Sequence, residues 1–203
     1  MENIKIREAT LLDIKETARI ITMTWKEVYN GIVPSKKLAE LSSLNFISYL
    51  EDDIKSDDKT VFVSENEFQA VVGMISGGAI KQEVEGYDAE IYAMYVMPDM
   101  QGKGIGQSLF NELVAWLKTH NFKKFVAWVL KDNVKARDFY GKAGGQVVAQ
   151  GDIEIGEKKL ETVCYGWDLS GMALQTKIVS EMPEKSSGMN AAAGLTATDR
   201  GDI

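Results

Sequence analysis

The chain has 203 residues, of which 45% are hydrophobic and 26% charged, and its formal net charge is -7. This size suits one domain or one domain with an appendage, and no apolar run approaches the ~20 residues that a membrane-spanning helix needs. An acidic chain repels nucleic acid phosphates, so neither nucleic acid nor membrane is an expected partner; the charge favours a cationic partner such as an amine, or serves solubility alone.

The first third of the chain predicts one strand followed by two helices. Residues 3–8 alternate between apolar and polar side chains, as in a half-buried strand. The pair Thr10 and Asp13 resembles a capping box and predicts the start of the first helix. Apolar residues at helical spacing over 38–50 predict a second helix, and the polar run 52–59 predicts a loop.

The remaining elements alternate between strands and helices. Further strands are predicted at 60–65, 69–79, 88–97, 125–130, 145–151 and 159–168, with helices ending at about 120 and spanning 134–143. The last two strands form a hairpin, and the apolar strand 125–130 is expected to be central. This order predicts an α/β (α+β) fold with a mixed, mostly antiparallel central sheet of about seven strands flanked by helices.

The tail after residue 170 differs in composition from the rest. Its residues show no apolar periodicity. The pattern predicts a domain over 1–170 and an appendage over 171–203, which is either an interface-forming extension or a sequence added in cloning.

A glycine-rich loop lies between a strand and a helix. The strand ends at Val96 before Pro98, and the loop carries Gly102, Gly104 and Gly106. Glycines let the backbone approach a bulky anion, and the N–H groups at a helix start attract negative charge, so the loop suits a phosphate or pyrophosphate. The dinucleotide and P-loop glycine patterns are both absent. A helix start that merely requires glycine is the alternative.

Two segments resemble the GNAT superfamily of acetyltransferases. Gln101-x-x-Gly104-x-Gly106 resembles the pyrophosphate loop of that family. The segment from Asn133 through Ala136 and Phe139-Tyr140 to Gly144 is similar to its Asn-x-x-Ala-x-x-Phe-Tyr-x-x-x-Gly motif; the family's next residue is usually Phe, whereas this chain has Gly145. The order of elements over about residues 3–169 also matches the family's fold.

The resemblance implies a GNAT fold that binds acetyl-CoA as co-substrate and needs no metal. The strand before the loop would part from its neighbour at a bulge and pair through its backbone with the pantetheine arm. Asn133 would contact the pantetheine or cap its helix, or both. The implied cofactor-binding residues are Met94, Val96, Gln101, Gly102, Lys103, Gly104, Ile105, Gly106, Gln107 and Asn133.

The resemblance also implies catalytic residues. Tyr140 would protonate the departing thiolate. The alternative is that Phe139 and Tyr140 are simply aromatic core residues. One of the two is expected to be core, because adjacent residues of a helix face apart. Glu90, 11 residues before Gln101, matches the position of a family base. The alternative is a solvated charge at the start of a strand. Tyr92 would lie on the same face as Glu90 and could guide water.

The acceptor site is expected beside the first two helices. Trp25 and Tyr29 would line it, together with Tyr92, although Trp25 could equally be core. Cys164 could act as a nucleophile, but a buried strand cysteine is the favoured interpretation because no histidine is expected nearby.

The predicted function is transfer of an acetyl group from acetyl-CoA to a primary amine by direct attack. The acceptor is a small-molecule amine or a peptide amine, and a protein lysine or N-terminus is left open. A non-catalytic acyl-CoA binding or sensing module is the rival class, disfavoured by the joint presence of Tyr140 and Glu90.

Compartment and assembly are also predicted. The N-terminus lacks a signal peptide's apolar segment, and Cys164 as the only cysteine excludes an intramolecular disulfide, so we expect a cytoplasmic protein. The last strand, 159–168, is expected to be an exposed edge or paired with something. This favours a homodimer built on the final hairpin and part of the tail.

Overall fold

The computed structural model describes residues 4–172, and within them seven strands form one sheet. The strands are β1 Lys5–Glu8, β2 Lys59–Glu65, β3 Val71–Ala79, β4 Ala89–Val96, β5 Lys124–Leu130, β6 Gln146–Ile155 and β7 Lys158–Asp168. The helices are α1 Ile14–Val28, α2 Ser35–Glu40, α3 Leu44–Lys55, α4 Ile105–Thr119 and α5 Val134–Lys142, with 3-10 turns at Leu11–Asp13 and Pro98–Met100. The predicted mixed, mostly antiparallel sheet of seven strands is confirmed.

The sheet has a hydrophobic layer on each face. The strand order is β1-β2-β3-β4-β5-β7-β6, and the neighbours are antiparallel except for β4 and β5. The first three helices cover one face and the last two the other. The predicted central strand β5 is buried along nearly its whole length. No helix in the described part of the chain is long and apolar enough to cross a bilayer.

The predicted second helix is wrong, because the structure divides it in two. The chain is extended at Leu41, with ψ 124°, and α3 begins at Leu44. The N–H of Ser42 donates to Asn45 Oδ1 at 2.8 Å, and the N–H of Leu44 donates to Ser42 Oγ at 3.3 Å. Such local side-chain bonds end one helix and start the next.

The predicted loop over 52–59 is also wrong in its first half. Helix α3 continues to Lys55, so Asp52 and Asp53 are helical. An ion pair from Glu51 to Lys55 stabilises the last turn. The extra turn matters for the site, since it turns Asp53 into the interior while Asp52 stays exposed.

The final hairpin is longer than predicted, and its turn is tighter. Strands β6 and β7 pair from Gln146↔Gly166 to Ile155↔Lys158, and Gly156 adopts φ +61° in the turn. Strand β7 lies between β5 and β6, so of the two alternatives for this strand the exposed edge is wrong and the paired strand is confirmed; the edge strands are β1 and β6. The predicted role of the tail in a homodimer falls on residues 173–203, outside the described residues.

A charged cluster joins β1 to the start of α1. Arg7 donates to both carboxylate oxygens of Asp13, at 2.8 and 2.7 Å. The backbone N–H and hydroxyl of Thr10 also donate to Asp13, at 2.7 and 2.9 Å, which forms the predicted capping box. Chiefly because of the Arg7 hydrogen bonds, the pKa of Asp13 is lowered from 3.8 to about 2.

We expect Asp13→Asn to reduce the free energy of unfolding by about 1–2 kcal/mol at pH 7, because a depressed carboxyl pKa stabilises the native state. This contribution is complete above the unfolded pKa and is lost as the pH falls through about 2. Urea titrations between pH 7 and pH 2 should show the gap between the two proteins closing. Asp57→Asn, at an exposed position, is the control; an equal loss in both variants would contradict the assignment.

Candidate active site

A gap opens in the sheet where β4 parts from β5. The two strands pair in parallel only from Ala89↔Phe125 to Ile91↔Ala127. On its other edge, β4 carries a bulge: Ser76 of β3 pairs with Ala93 and Gly77 pairs with Ile91, so Tyr92 is the extra residue. A bulge bends the strand that carries it, so β4 can stay paired with β3 on one edge while it turns away from β5 on the other. The bulge therefore places the opening one residue beyond the last β4–β5 pair.

The backbone of β4 faces this gap at Met94 and Val96. The N–H of Met97 donates to Val72 O on β3 at 2.9 Å. Because strand groups alternate from one edge to the other, the N–H and C=O groups of Val96 and Met94 point to the opposite edge, toward β5. The side chains of both residues are buried in the core. The backbone alone can therefore contact an extended ligand there.

The glycine-rich loop brings the start of α4 to the end of this gap. The side-chain amide of Gln101 donates to Val96 O at 2.9 Å and holds the loop against β4. Gly102 and Gly104 have φ +73° and +81°, values that favour glycine. The first helical bond runs from Ser108 N–H to Gly104 O at 3.0 Å. The preceding N–H groups, those of residues 105–107, point out from the helix start as an anion site.

The other loop residues differ in exposure. Lys103 and Gln107 are exposed, whereas Ile105 is buried and offers only its backbone. A Cβ atom at Gly106 would lie 3.7 Å from the Phe139 ring and 4.0 Å from Val96, so this position lies between α5 and the end of β4. The structure thus brings the predicted loop residues together with the gap.

Tyr140 lies on α5 with its side chain fully buried. Its ring packs against Phe139, Tyr165 and Trp167, with centroid distances of 5.4, 6.0 and 5.5 Å. Its hydroxyl has no hydrogen-bond partner among residues 4–172. Burial raises the pKa of this phenol well above its usual value, with a smaller contribution from Tyr29, so the proton stays on oxygen. A buried, unpartnered hydroxyl is uncommon and suits an acceptor supplied by a ligand.

Two further features of α5 bear on the sequence analysis. Asn133 is buried and caps the helix, since its Oδ1 accepts from Ala136 N–H at 3.1 Å. Phe139 is buried like Tyr140, so both residues of the pair lie in the core, where the sequence predicted that one of the two would. The side chains of Phe139 and Tyr140 leave α5 in different directions, but both pack into the same hydrophobic cluster.

The departure from the family motif at Gly145 has a steric cause. A Cβ atom there would lie 2.5 Å from the Trp167 ring and 2.9 Å from the carbonyl oxygen of Tyr140. Trp167 also donates from Nε1 to Ala143 O at 3.0 Å. The large ring of Trp167 therefore occupies the space that a side chain at position 145 would need.

Glu90 is buried in β4, so the interpretation as a solvated charge is wrong. Its Oε2 accepts from the backbone N–H groups of Lys81 and Gln82 at 3.0 and 3.1 Å. These bonds fix the loop between β3 and β4 to the sheet. A role for Glu90 as a base stays a prediction.

A cleft opens on the sheet face covered by α1 and α3, and it reaches the bulge of β4. Trp25 forms one wall, and its Nε1 donates to Tyr95 Oη at 2.7 Å. Tyr29 is buried behind that wall, with its ring 4.7 Å from the Trp25 ring, and does not line the cleft. The lining residues are Ile21, Trp25, Phe46, Tyr49, Leu50, Asp53, Met74, Ser76, Lys81, Tyr92, Ala93 and Tyr95.

The polar end of the cleft holds a buried carboxylate. Asp53 is 5% exposed and lies 3.3 Å from Lys81 Nζ and 3.8 Å from Lys59 Nζ. Burial raises the pKa of Asp53 against the opposing effect of these lysines. Lys81 Nζ also lies over the ring of Tyr92, 3.5 Å from its centroid, and the Tyr92 hydroxyl donates to Ala79 O.

Sequence reasoning missed Asp53, Lys81 and Tyr95. Asp53 was assigned to a loop, although its spacing of seven from Phe46 and three from Leu50 is the spacing of one helical face. Cys164 is buried in β7, as favoured, and burial raises its pKa to about 12. An inert thiol is the consequence.

Comparison with known proteins identifies the family. The model of the acetyltransferase (GNAT) family matches residues 25–145. The uncharacterized N-acetyltransferase YuaI of Bacillus subtilis is 36% identical over 171 residues, which is 83% of this chain and 96% of YuaI.

Solved structures share the fold. An N-acetyltransferase from Staphylococcus aureus Mu50 superposes with a TM-score of 0.66 at 20% identity, covering 82% of this chain and 99% of its own. The structure of yncA from Salmonella typhimurium, solved with its cofactor acetyl-CoA, superposes with a TM-score of 0.63 at 24% identity. The match covers 84% of this chain and 96% of yncA. The predicted GNAT fold is confirmed, and the chain belongs to the acetyltransferase (GNAT) family and is an acetyltransferase.

Proposed function

We propose that this chain transfers the acetyl group of acetyl-CoA to a primary amine by direct attack of the amine on the thioester. The observation that carries the proposal is the parting of β4 from β5 at the Tyr92 bulge. The loop that begins α4 is tied to the end of β4 by the bond from Gln101 to Val96 O, and Tyr140 on α5 is proposed to reach the gap. The Salmonella protein of the same fold is named with acetyl-CoA as its cofactor, which supports the same donor here.

The donor-binding residues have distinct roles in this proposal. The backbone of Met94 and Val96 pairs with the pantetheine amides as an added strand would. The start of α4 binds the pyrophosphate through the backbone N–H groups of residues 105–107, and Lys103 adds a cation beside it. Gln101 holds the loop closed on Val96, and Asn133 fixes the start of α5.

The amine enters through the cleft on the α1 and α3 face of the sheet, opposite the α4 and α5 face where the donor is proposed to bind. Its walls are side chains that are almost completely buried, including Ile21, Trp25, Phe46 and Leu50. Such a small, largely apolar cleft suits a small amine better than a peptide chain. Because Tyr92 and Ala93 belong both to the cleft wall and to the bulge, the cleft leads to the gap where the thioester would lie.

The transfer needs three contributions from the chain. A carboxylate takes the proton of the acceptor's ammonium group, and Glu90 is the predicted one. The N–H of Met94, which faces the gap, stabilises the oxyanion; that of Tyr95 faces β3 instead. Tyr140 donates its hydroxyl proton to the sulfur as the C–S bond breaks, and the proton released from the amide nitrogen replaces it.

Turnover with a panel of primary amines tests the proposed function. Purified chain and acetyl-CoA are incubated with each amine, free thiol is followed with a thiol reagent, and the N-acetylated product is identified by mass spectrometry. We expect thiol release that depends on an amine. Thiol release at the same rate with and without every amine would contradict the proposal.

A charge placed at the helix start should abolish donor binding. Gly104→Asp puts a carboxylate where the pyrophosphate is proposed, whereas Gly104→Asn places an isosteric neutral side chain that tolerates the same positive φ. We expect calorimetry with CoA to show affinity lowered at least about tenfold more by Asp than by Asn, since like charges repel at close range. Equal affinities for the two variants would mean that the loop is only a helix start.

Removal of the Tyr140 hydroxyl should separate activity from stability. We expect Tyr140→Phe to lower kcat by about 10²-fold, the low end for lost acid–base assistance, while acetyl-CoA binding is nearly unchanged. The free protein should gain up to about 1 kcal/mol of unfolding free energy, because the buried hydroxyl has no hydrogen-bond partner in the described part of the chain. Steady-state kinetics and urea unfolding measure the two effects.

The matched control is Tyr95→Phe. Its hydroxyl accepts the Trp25 Nε1–H bond, so its removal leaves a buried donor unpaired and should cost about 1 kcal/mol of stability. A Tyr140→Phe variant with normal kcat would assign the thiolate proton to water or to another residue.

A further inference from the structure

The polar end of the acceptor cleft has the composition of a cation site. Asp53 provides a carboxylate, and Tyr92 provides a ring face, and both contact the same ammonium group, that of Lys81. The distances are 3.3 Å to the carboxylate oxygen and 3.5 Å to the ring centroid. A carboxylate beside an aromatic face is an arrangement that binds ammonium groups strongly once water is excluded.

The position of Asp53 is unfavourable for stability. Its side chain is 7% exposed, and a buried carboxylate loses its hydration. It also lies in the last turn of α3, Leu44–Lys55, where the helix dipole repels negative charge. Two lysines offset these costs, but an apolar residue at this position would avoid them. A residue that breaks local rules inside a cleft is expected to have a function.

The rest of the cleft suits an ammonium group on an apolar chain. Apart from Asp53, Lys81 and Ser76, the lining residues are aromatic or aliphatic, and the aromatic ones besides Tyr92 are Trp25, Phe46, Tyr49 and Tyr95. Tyr92 is the bulge residue of β4. A cation held between Asp53 and Tyr92 therefore lies beside the point where β4 parts from β5, next to the proposed position of the thioester.

Lys81 is able to leave this position. It follows β3, in the segment that connects β3 to β4, and its side chain is 22% exposed. The backbone at Lys81 is held by Glu90, so only the flexible side chain needs to move. After its departure Lys59 still faces Asp53, at 3.8 Å. An incoming ammonium group would then restore the ion pair that Lys81 had provided.

We propose that Asp53 and the Tyr92 ring bind the ammonium group of the acceptor, and that Lys81 occupies this position until the acceptor displaces it. The acceptor class is a primary amine on an apolar or aromatic chain. This inference rests on the proposed function, because it assigns the acceptor of the same reaction. Asp53 is thereby a residue that determines specificity, and Lys81 is an internal competitor.

The test compares amines with alcohols of the same shape. Calorimetry on the full chain measures the binding of 2-phenylethylamine and hexylamine against 2-phenylethanol and hexanol. We expect at least one amine to bind about tenfold more tightly than its alcohol, the order of a charge-assisted contact. Asp53→Asn should abolish that preference. Asp52→Asn, which removes the same charge from the exposed neighbouring position, should leave it intact.

Lys81→Met should change amine affinity in the opposite direction to Asp53→Asn. It keeps the length and apolar stem of the side chain but removes the competing charge, so amine binding should become several-fold tighter. This measurement stands alone if Asp53→Asn does not fold. Weaker amine binding in Lys81→Met would overturn the proposal, as would equal binding of amines and alcohols, or equal effects of the two Asp→Asn variants.

Acetylation assays separate this proposal from the proposed function. If the amines bind selectively through Asp53 but no acetylated product forms with acetyl-CoA, the function is wrong and the cation site stands. If acetylation proceeds and Asp53→Asn leaves the KM for the amine unchanged relative to Asp52→Asn, the cation site is wrong and the function stands.

Discussion

The extra residue at Tyr92 is the constraint on which the rest of the site depends. It keeps β4 paired with β3 while it ends the pairing of β4 with β5 after Ile91. Without the bulge, the parallel pairing of β4 with β5 would continue, and the backbone groups of Met94 and Val96 would form hydrogen bonds to β5. With it, the centre of the seven-stranded sheet contains an opening along which the β4 backbone pairs with no neighbouring strand of the described chain beyond Ile91, although Gln101 already donates to Val96 O.

The two sides of this opening have different chemistry. On the α4 and α5 side, a helix start attracts anions, and the fully buried phenol of Tyr140 has no hydrogen-bond partner within residues 4–172. A hydroxyl buried in this way costs up to about 1 kcal/mol, so the free protein gives up stability that a bound sulfur could return. On the α1 and α3 side, an apolar cleft ends in the Asp53–Lys81 pair. Donor and acceptor can therefore approach one point from opposite faces.

Local signals predicted part of this arrangement. The glycine loop, the Asn133 cap and the capping box at Thr10 each depend on residues that are close together in sequence. The structure contains both caps as predicted, and it places the glycine loop at the start of α4. Asp53 was missed because a polar run near a helix end resembles a loop. The sequence left open whether β7 is an edge or a paired strand, since strand order depends on long-range pairing that adjacent residues do not encode.

The central claim is that the β4–β5 gap binds the acetyl donor with its sulfur at Tyr140. A crystal structure of the chain with CoA tests it most directly. We predict the pantetheine alongside Met94 and Val96, the pyrophosphate at the N–H groups of residues 105–107, and the sulfur within hydrogen-bond distance of the Tyr140 hydroxyl. CoA bound elsewhere, or a sulfur out of reach of Tyr140 with the gap empty, would contradict the account.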